Sequence, residues 1–289
     1  MNKQTYAGRL LVRTFGTAVL GSAALGAYAF LIEPRWLQVT HTCIYLPGLP
    51  SALSGIRIAL LTDFHAGHGT PLSLIRRACR EAMSEQPHLI ALTGDFTADD
   101  AQSYRPVLDA LSSLDAPLGV YAVPGNHDYK VGIEMWHRQL AAYPKIVDLT
   151  NQAVIRTVEG ARLCIAGVDD FDRGLPRLRE LPLPEQRDCT ILLAHNPDQA
   201  EFVRRAYDRV DLVLSGHTHG GQVRLPWIGA LRNPAHRDDL YEAGLTQRPW
   251  TQVYVSRGVG TVNLPVRFLC RPEVAILELV GSASTSTPQ

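Results

Sequence analysis

Net charge is the first thing this 289-residue chain lacks. Its 28 lysines and arginines are offset by 28 aspartates and glutamates, so no overall field draws it to nucleic acid or to an acidic surface, and any anion it binds must be captured locally. Cysteine is scarce as well. The five present (Cys43, Cys79, Cys164, Cys189, Cys270) are odd in number, widely spaced and contain no CxxC, which argues against a disulfide framework or a structural zinc site and for small buried apolar residues. Several hydrolase signatures are also missing: there is no GxSxG nucleophile turn, no HExxH helix and no GxxxxGK[ST] phosphate loop. No internal repeat is found.

Charge is absent in one further place. Thr14 to Ile32 is a run of nineteen residues without an ionisable side chain other than Tyr28, preceded by Lys3, Arg9 and Arg13 and followed by Glu33-Pro34-Arg35. As a helix it would reach roughly 28 Å, about the hydrocarbon thickness of a bilayer. Basic residues ahead of it favour a cytoplasmic N-terminus, with everything after Ile32 outside the cytoplasm, in the periplasm. A cleaved signal ending near Ala27-Tyr28-Ala29 and a helix buried in the globular core are the rival readings. The expected division is therefore an anchor or signal segment over 1–37, a globular domain over 38–281, and a disordered tail over 282–289.

With 46% hydrophobic residues, the rest of the chain has ample material for a core. After an extended stretch around Val39 to Leu46, short apolar β-rich runs alternate with helix-like segments. The runs are Arg57 to Thr62, Leu89 to Thr93, Val120 to Val123, Leu163 to Val168, Ile191 to Ala194, Leu212 to Ser215, Val253 to Val255 and Val274 to Leu279. Helical spacing covers Pro71 to Gln86, Ala101 to Leu114, Val131 to Ala142 and Pro197 to Ala206. Alternation of this kind defines an α/β protein with strands buried on both faces. Gln222 to Trp250, rich in proline, glycine, arginine and aromatics, reads as a long ordered loop.

A polar cluster closes most of the strands: Asp63-Phe64-His65, Gly94-Asp95, Gly125-Asn126-His127-Asp128, His195, and Gly216-His217-Thr218-His219. Carboxyl ends of strands in open α/β sheets line one edge, where ligands bind, so residues more than 150 positions apart converge there. Two carboxylates (Asp63, Asp95), one amide (Asn126) and four imidazoles (His65, His195, His217, His219) suit manganese, iron or zinc better than magnesium or calcium. Seven ligands are too many for one metal with an open position and enough for two, with Asp95 as the natural bridge.

The sequence of D-x-H, G-D, G-N-H-D, a lone H and G-H-T-H resembles the calcineurin-like metallophosphoesterase superfamily. The likeness continues through GGQVRLP (Gly220 to Pro226) and SRGVGTVNLPVRFLCRPEVAILEL (Ser256 to Leu279), which are similar to a membrane-associated phosphodiesterase branch. That branch includes enzymes that cleave UDP-2,3-diacylglucosamine in lipid A biosynthesis.

The resemblance implies a four-layer αββα sandwich of two mixed sheets. It assigns Asp63, His65, Asp95 and His219 to one metal, and Asp95, Asn126, His195 and His217 to a second. His127 becomes the outer-sphere catalytic histidine, and Asp128, next in sequence, is expected to orient it. The cofactors implied are two divalent ions, manganese foremost, with iron or zinc as alternatives. The implied reaction is hydrolysis of a phosphodiester or pyrophosphate by hydroxide held between the ions, on a substrate that includes lipid-linked diesters. A non-catalytic scaffold of the same fold, binding partners at the membrane, is the alternative, and the intact ligand set speaks against it. The other histidines, His41, His68, His88, His137 and His236, fall outside the pattern. Arg232, Arg237 and Tyr241 are candidates for substrate phosphate or sugar, against ordinary surface ion pairs. Leu225, Trp227, Ile228 and Leu231 are expected to pack on the core, with acyl chains or a bilayer as the other reading.

Overall fold

The computed structural model describes residues 20–67, 69–206, 210–237 and 240–281. Two six-stranded mixed sheets form its centre. The first runs in the order β1 (Gln38–Leu46), β14 (Glu273–Gly281), β2 (Arg57–Leu61), β3 (Leu89–Thr93), β4 (Val120–Val123), β5 (Ile146–Asp148). Its β2 to β5 are parallel, and β14 is antiparallel to β2. The second runs β12 (Gly244–Arg248), β13 (Thr251–Val255), β9 (Leu212–Ser215), β8 (Cys189–Leu193), β7 (Ala161–Gly167), β6 (Gln152–Val158). There the four inner strands are parallel and both edges antiparallel.

Period-two side-chain alternation sorts each strand between two cores. Ile58 and Leu60 of β2 face the seam between the sheets, with Ile165, Ile191, Leu193, Leu212 and Leu214 opposite. Ala59 and Leu61 face outward, under α1 (Leu72–Ser84), α2 (Tyr104–Leu111) and, further along the same core, Trp136 and Leu140 of α4 (Ile133–Leu140). On α1, Leu74, Ile75, Ala78, Cys79 and Ala82 make the buried stripe that helical spacing predicts. A third cluster packs α5 (Ala200–Ala206) on the far face of the second sheet through Ala200 and Val203. Each fully buried Leu or Ile contributes roughly 1.5–3 kcal/mol, so the seam holds the sheets together before any ligand is considered.

β5, β6 and β12 were not anticipated. β6 is only half-buried along its length and β12 is a polar edge strand, so neither carries the continuous apolar run of an inner strand. The expected loop from Gln222 to Trp250 contains β12 and a small hairpin, β10 (Arg224–Leu225) with β11 (Gly229–Ala230). Trp227, Ile228 and Leu231 do not pack on the core: they are exposed.

Residues 20–27 are helical, and the chain then passes through a π turn, Tyr28–Ile32, and a 3-10 turn, Glu33–Arg35. Among the described residues no helix is long and apolar enough to cross a membrane. Positions 14–19 of the uncharged run, His68 and the 282–289 tail lie outside the described residues.

Candidate metal centre

All five polar clusters meet at one edge of the seam. β2 ends in Asp63 and His65, β3 in Asp95, β4 in Asn126 and His127 on the first turn of α3 (Asn126–Val131), β8 in His195, and β9 in His217 and His219. Asp63, His65, Asp95, His217 and His219 all adopt positive φ, between 43° and 71°. The left-handed region is unfavourable for side chains of this kind, and its recurrence in five residues after three strands is local strain held at one place. It turns the backbone sharply enough to aim successive side chains back at the same edge. Close approach dictates the glycines. A Cβ on Gly94 would lie 2.6 Å from the Gly125 amide nitrogen and 2.7 Å from His195 Nδ1.

The donor atoms fall into two groups. In the first, His65 Nε2 is 3.0 Å from His219 Nε2 and 3.4 Å from Asp95 Oδ2, and His219 Nε2 is 3.3 Å from Asp63 Oδ1. In the second, Asn126 Oδ1 is 3.1 Å from both His195 Nε2 and His217 Nδ1, and His195 Nε2 is 3.3 Å from Asp95 Oδ2. Asp95 Oδ2 belongs to both. Donors about 2.1 Å from a common cation lie roughly 3.0–3.4 Å apart, so these separations would fit donors that hold metal ions, with Asp95 Oδ2 in reach of both groups. The two buried imidazoles face each other nitrogen to nitrogen at 3.0 Å, and their Nδ1 atoms have no partner.

Protonation fits the same use at three of the four imidazoles. Burial holds His65 and His219 well below the usual histidine range and pushes His217 down to about 4, leaving the neutral form that ligates metals. His195 goes the other way: burial opposes its charge, but the Asp95 carboxylate beside it raises it well above the usual range. Asp95 is correspondingly held low against its own burial by His195 and His65. The partners behind the rings fix their orientation. His195 Nδ1 donates to the Thr93 carbonyl at 2.7 Å, and His217 Nε2 faces Asp172 Oδ2 at 3.6 Å.

His127 stands beside the first group, its ring edge-on to His65 at 4.7 Å between centroids. Its backbone N–H donates to Asp95 Oδ1 at 2.8 Å, and its Nδ1 lies 2.6 Å from the Ala98 carbonyl and 3.3 Å from Asp99 Oδ1. Asp128 is not what orients it. The Asp128 carboxylate is taken up by the backbone N–H groups of Asp95, Phe96 and Gly125 and by the Tyr104 hydroxyl, so it fixes the loop that carries Asp95. Burial, with the Asp95 charge next, pushes it up to about 7. Sequence reading missed Asp99, Lys130, whose Nζ is 3.1 Å from both His127 ring nitrogens, and Asp172. The available signal was position, since Asp99 shares a strand-end loop with Asp95.

A cavity of about 550 Å³ opens over the centre. Asp95, Asn126, His127, His217 and His219 form its floor, Lys130 and Arg232 add cationic groups, and Val223, Leu231, Val262, Leu264 and Val266 an apolar wall. Tyr241 takes no part: it is buried and donates to Glu201 Oε1 at 2.6 Å.

Two mixed sheets carrying this donor set at the strand ends define a metallophosphoesterase. Residues 56–221 match the model of the calcineurin-like phosphoesterases, and the chain belongs to that family, whose members use divalent metal ions to hydrolyse phosphoric esters. It is 33% identical over 276 residues to the phosphodiesterase YaeI of Escherichia coli (strain K12), covering 94% of this chain and 98% of that one. It is 31% identical over 272 residues to the uncharacterized metallophosphoesterase YkuE of Bacillus subtilis (strain 168), covering 92% and 94%. A Danio rerio relative, 29% identical over 275 residues and covering 91% of this chain and 62% of its own, is called a transmembrane protein with metallophosphoesterase domain. Among solved structures, the Thermus thermophilus sulfate thiohydrolase SoxB in complex with glycerol shares the fold, with a TM-score of 0.50 and 12% identity over 72% of this chain and 52% of that one.

Proposed function

We propose that this protein hydrolyses a phosphodiester or pyrophosphate bond, on a lipid-linked substrate of the kind UDP-2,3-diacylglucosamine exemplifies. In this reading the 38–281 domain is held by the 1–37 segment, as a membrane-spanning anchor, on the periplasmic face. The observation that carries the reading is the pair of donor groups sharing Asp95 Oδ2, with His127 beside them on the cavity floor. When bound, two divalent ions, manganese foremost, supply the positive charge that grips phosphoryl oxygens and acidifies a water.

The chain's own residues do the rest. Asp63, His65, Asp95 and His219 form one ligand set, and Asp95, Asn126, His195 and His217 the other. With Nδ1 donating to the Ala98 carbonyl, His127 keeps Nε2 as the ring atom that exchanges a proton with a leaving oxygen, typically worth about 10²–10⁴ in rate. Lys130 adds a cation where the anion arrives. The apolar wall beside the polar floor supports an amphiphilic substrate, and the name of the Escherichia coli relative supports a diester over a monoester.

The test is an activity screen of the purified protein with manganese across bis(p-nitrophenyl) phosphate, phosphomonoesters, nucleotide sugars and UDP-2,3-diacylglucosamine. Diester and pyrophosphate turnover is expected. Turnover of monoesters alone would overturn the diesterase reading, and a reporter fused after Gln289 that is active only in the cytoplasm would overturn the placement.

A further inference from the structure

Three segments far apart in sequence are tied together at the mouth of the cavity. The Arg224 amide donates to the Phe268 carbonyl and the Phe268 amide to Gln222, each at 2.9 Å, joining the β10–β11 hairpin to the 262–270 loop. The Arg267 amide donates to the Ala29 carbonyl at 3.0 Å, and buried Glu33 accepts from the Leu269 and Cys270 amides at 3.0 and 2.5 Å, joining that loop to the end of the uncharged run. Tyr28 meets Phe268 edge to face.

On the outside of this junction the side chains are apolar and bare. Trp227 and Ile228, at the hairpin tip, are 103% and 70% exposed. Leu264 and Leu269 on the loop, and Leu31 and Ile32 on the turn, are each more than half exposed. Trp227 also has φ 66°, a conformation that costs a bulky residue energy, and its indole has no burial to offset that cost. Exposed apolar side chains on three segments bonded to one another point to an interaction site.

We infer that this rim inserts into the surface of a lipid bilayer, so that the cavity mouth is held against the membrane; the inference rests on the reading of the 1–37 segment as membrane-associated. Several features favour lipid over a protein partner. The chain reaches the junction directly from a nineteen-residue stretch whose side chains carry no charge, preceded by Lys3, Arg9 and Arg13 and followed by Glu33, whose carboxylate is buried, and Arg35. The apolar residues project from three separate turns with a tryptophan at one tip, a pattern suited to the interfacial region, where tryptophan is enriched. Leu264 and the exposed Leu231 are also part of the cavity's apolar wall, so the wall is continuous with the rim and a diester with apolar chains can enter without leaving the bilayer.

The experiment isolates Trp227 in the full chain, reconstituted in phosphatidylethanolamine–phosphatidylglycerol vesicles whose acyl chains are either native or brominated. The emission of wild type minus that of Trp227→Phe is the signal of this one indole. It is expected to be blue-shifted, to lose most of its intensity in brominated vesicles, and to resist acrylamide. A water-like difference spectrum that acrylamide quenches and bromine does not would overturn the inference, as would protein left in the supernatant when the vesicles are sedimented. Turnover of bis(p-nitrophenyl) phosphate with manganese, measured in the same samples, is expected to be equal for both proteins because Trp227 lies outside the cavity lining. Its absence from both would sink the phosphoesterase reading and leave the emission result standing.

Discussion

Asp95 and His127 are bonded to each other, yet their atoms face different tasks. Asp95 offers Oδ2 to both donor groups, while His127, whose ring forms a third close group with His65 and Asp95, gives its backbone N–H to Asp95 Oδ1 and its Nδ1 to the Ala98 carbonyl. His127→Ala is therefore expected to retain two metals per chain and lose about 10²–10⁴ in kcat, whereas Asp95→Ala loses metal as well; elemental analysis of both variants checks this, and equal metal loss would end the division of roles. Asp170 gives a prediction in pH. Its Oδ1 accepts from the Asp172 and Arg173 amides, its Oδ2 is buried without a partner, and burial pushes the carboxyl up to about 6. Because the folded value lies above the ordinary one near 3.8, the stability it contributes is fully present below about pH 4 and lost as pH rises through about 6. Asp170→Asn should stabilise the metal-free protein by up to about 3 kcal/mol at pH 8 and hardly at all at pH 4. Urea denaturation at the two pH values reads the difference, and an equal effect at both would remove burial of the charge as its cause.

The loop between β13 and β14 shows how an irregular segment is made rigid. Arg267 is fully buried and donates to the carbonyls of Arg257, Gly258, Gly260 and Cys270, closing the loop on itself. Gly258 packs against the Asp63 side chain, where a Cβ would come within 2.7 Å of the Asp63 Cβ. Arg267→Lys keeps the charge but cannot reproduce the planar fork, and stranding two or three buried carbonyls should cost about 2–5 kcal/mol. Chemical denaturation measures that cost, and a loss of under about 0.5 kcal/mol would show that the fork does not hold the loop. Nothing local in the sequence announces this role, because an arginine that bonds to backbone carbonyls and a cysteine sulfur has no ionic partner to look for. The inner strands were legible for the opposite reason. Five-residue runs such as Leu89 to Thr93 are buried on both faces and carry the apolar signal in every position but the last. β6 and β12, half-buried at sheet edges, do not. The ligand candidates were readable as residue types following those inner runs. Asp99 was marked only by its place in the loop after Asp95 and Asp172 by nothing, since a carboxylate behind a histidine is defined by the folded loop, and Asp128 was assigned to His127 by adjacency alone although its oxygens point to the Asp95 loop.

Both donor groups draw on both sheets. Asp63, His65, Asp95 and Asn126 follow strands of the first, and His195, His217 and His219 follow strands of the second, so each bound cation would tie the sheets together at the open edge of the seam. Without cations that edge is a buried cluster of carboxylates and facing imidazoles, and the apolar seam beneath it carries the association alone. A ligand at a thousandfold excess over its dissociation constant stabilises by about 4 kcal/mol, which for a domain of this size corresponds to roughly 10 °C in Tm per site. Chelation should therefore lower Tm by about that amount or more while leaving one cooperative transition, because the seam still couples the two sheets. Differential scanning calorimetry with and without EDTA gives the shift, and Asp95→Ala supplies the control. If the cations act as ties across the seam, the chelator moves wild type and leaves the variant where it is; a chelator effect of equal size on both proteins would mean that the stabilising metal binds somewhere other than the strand ends.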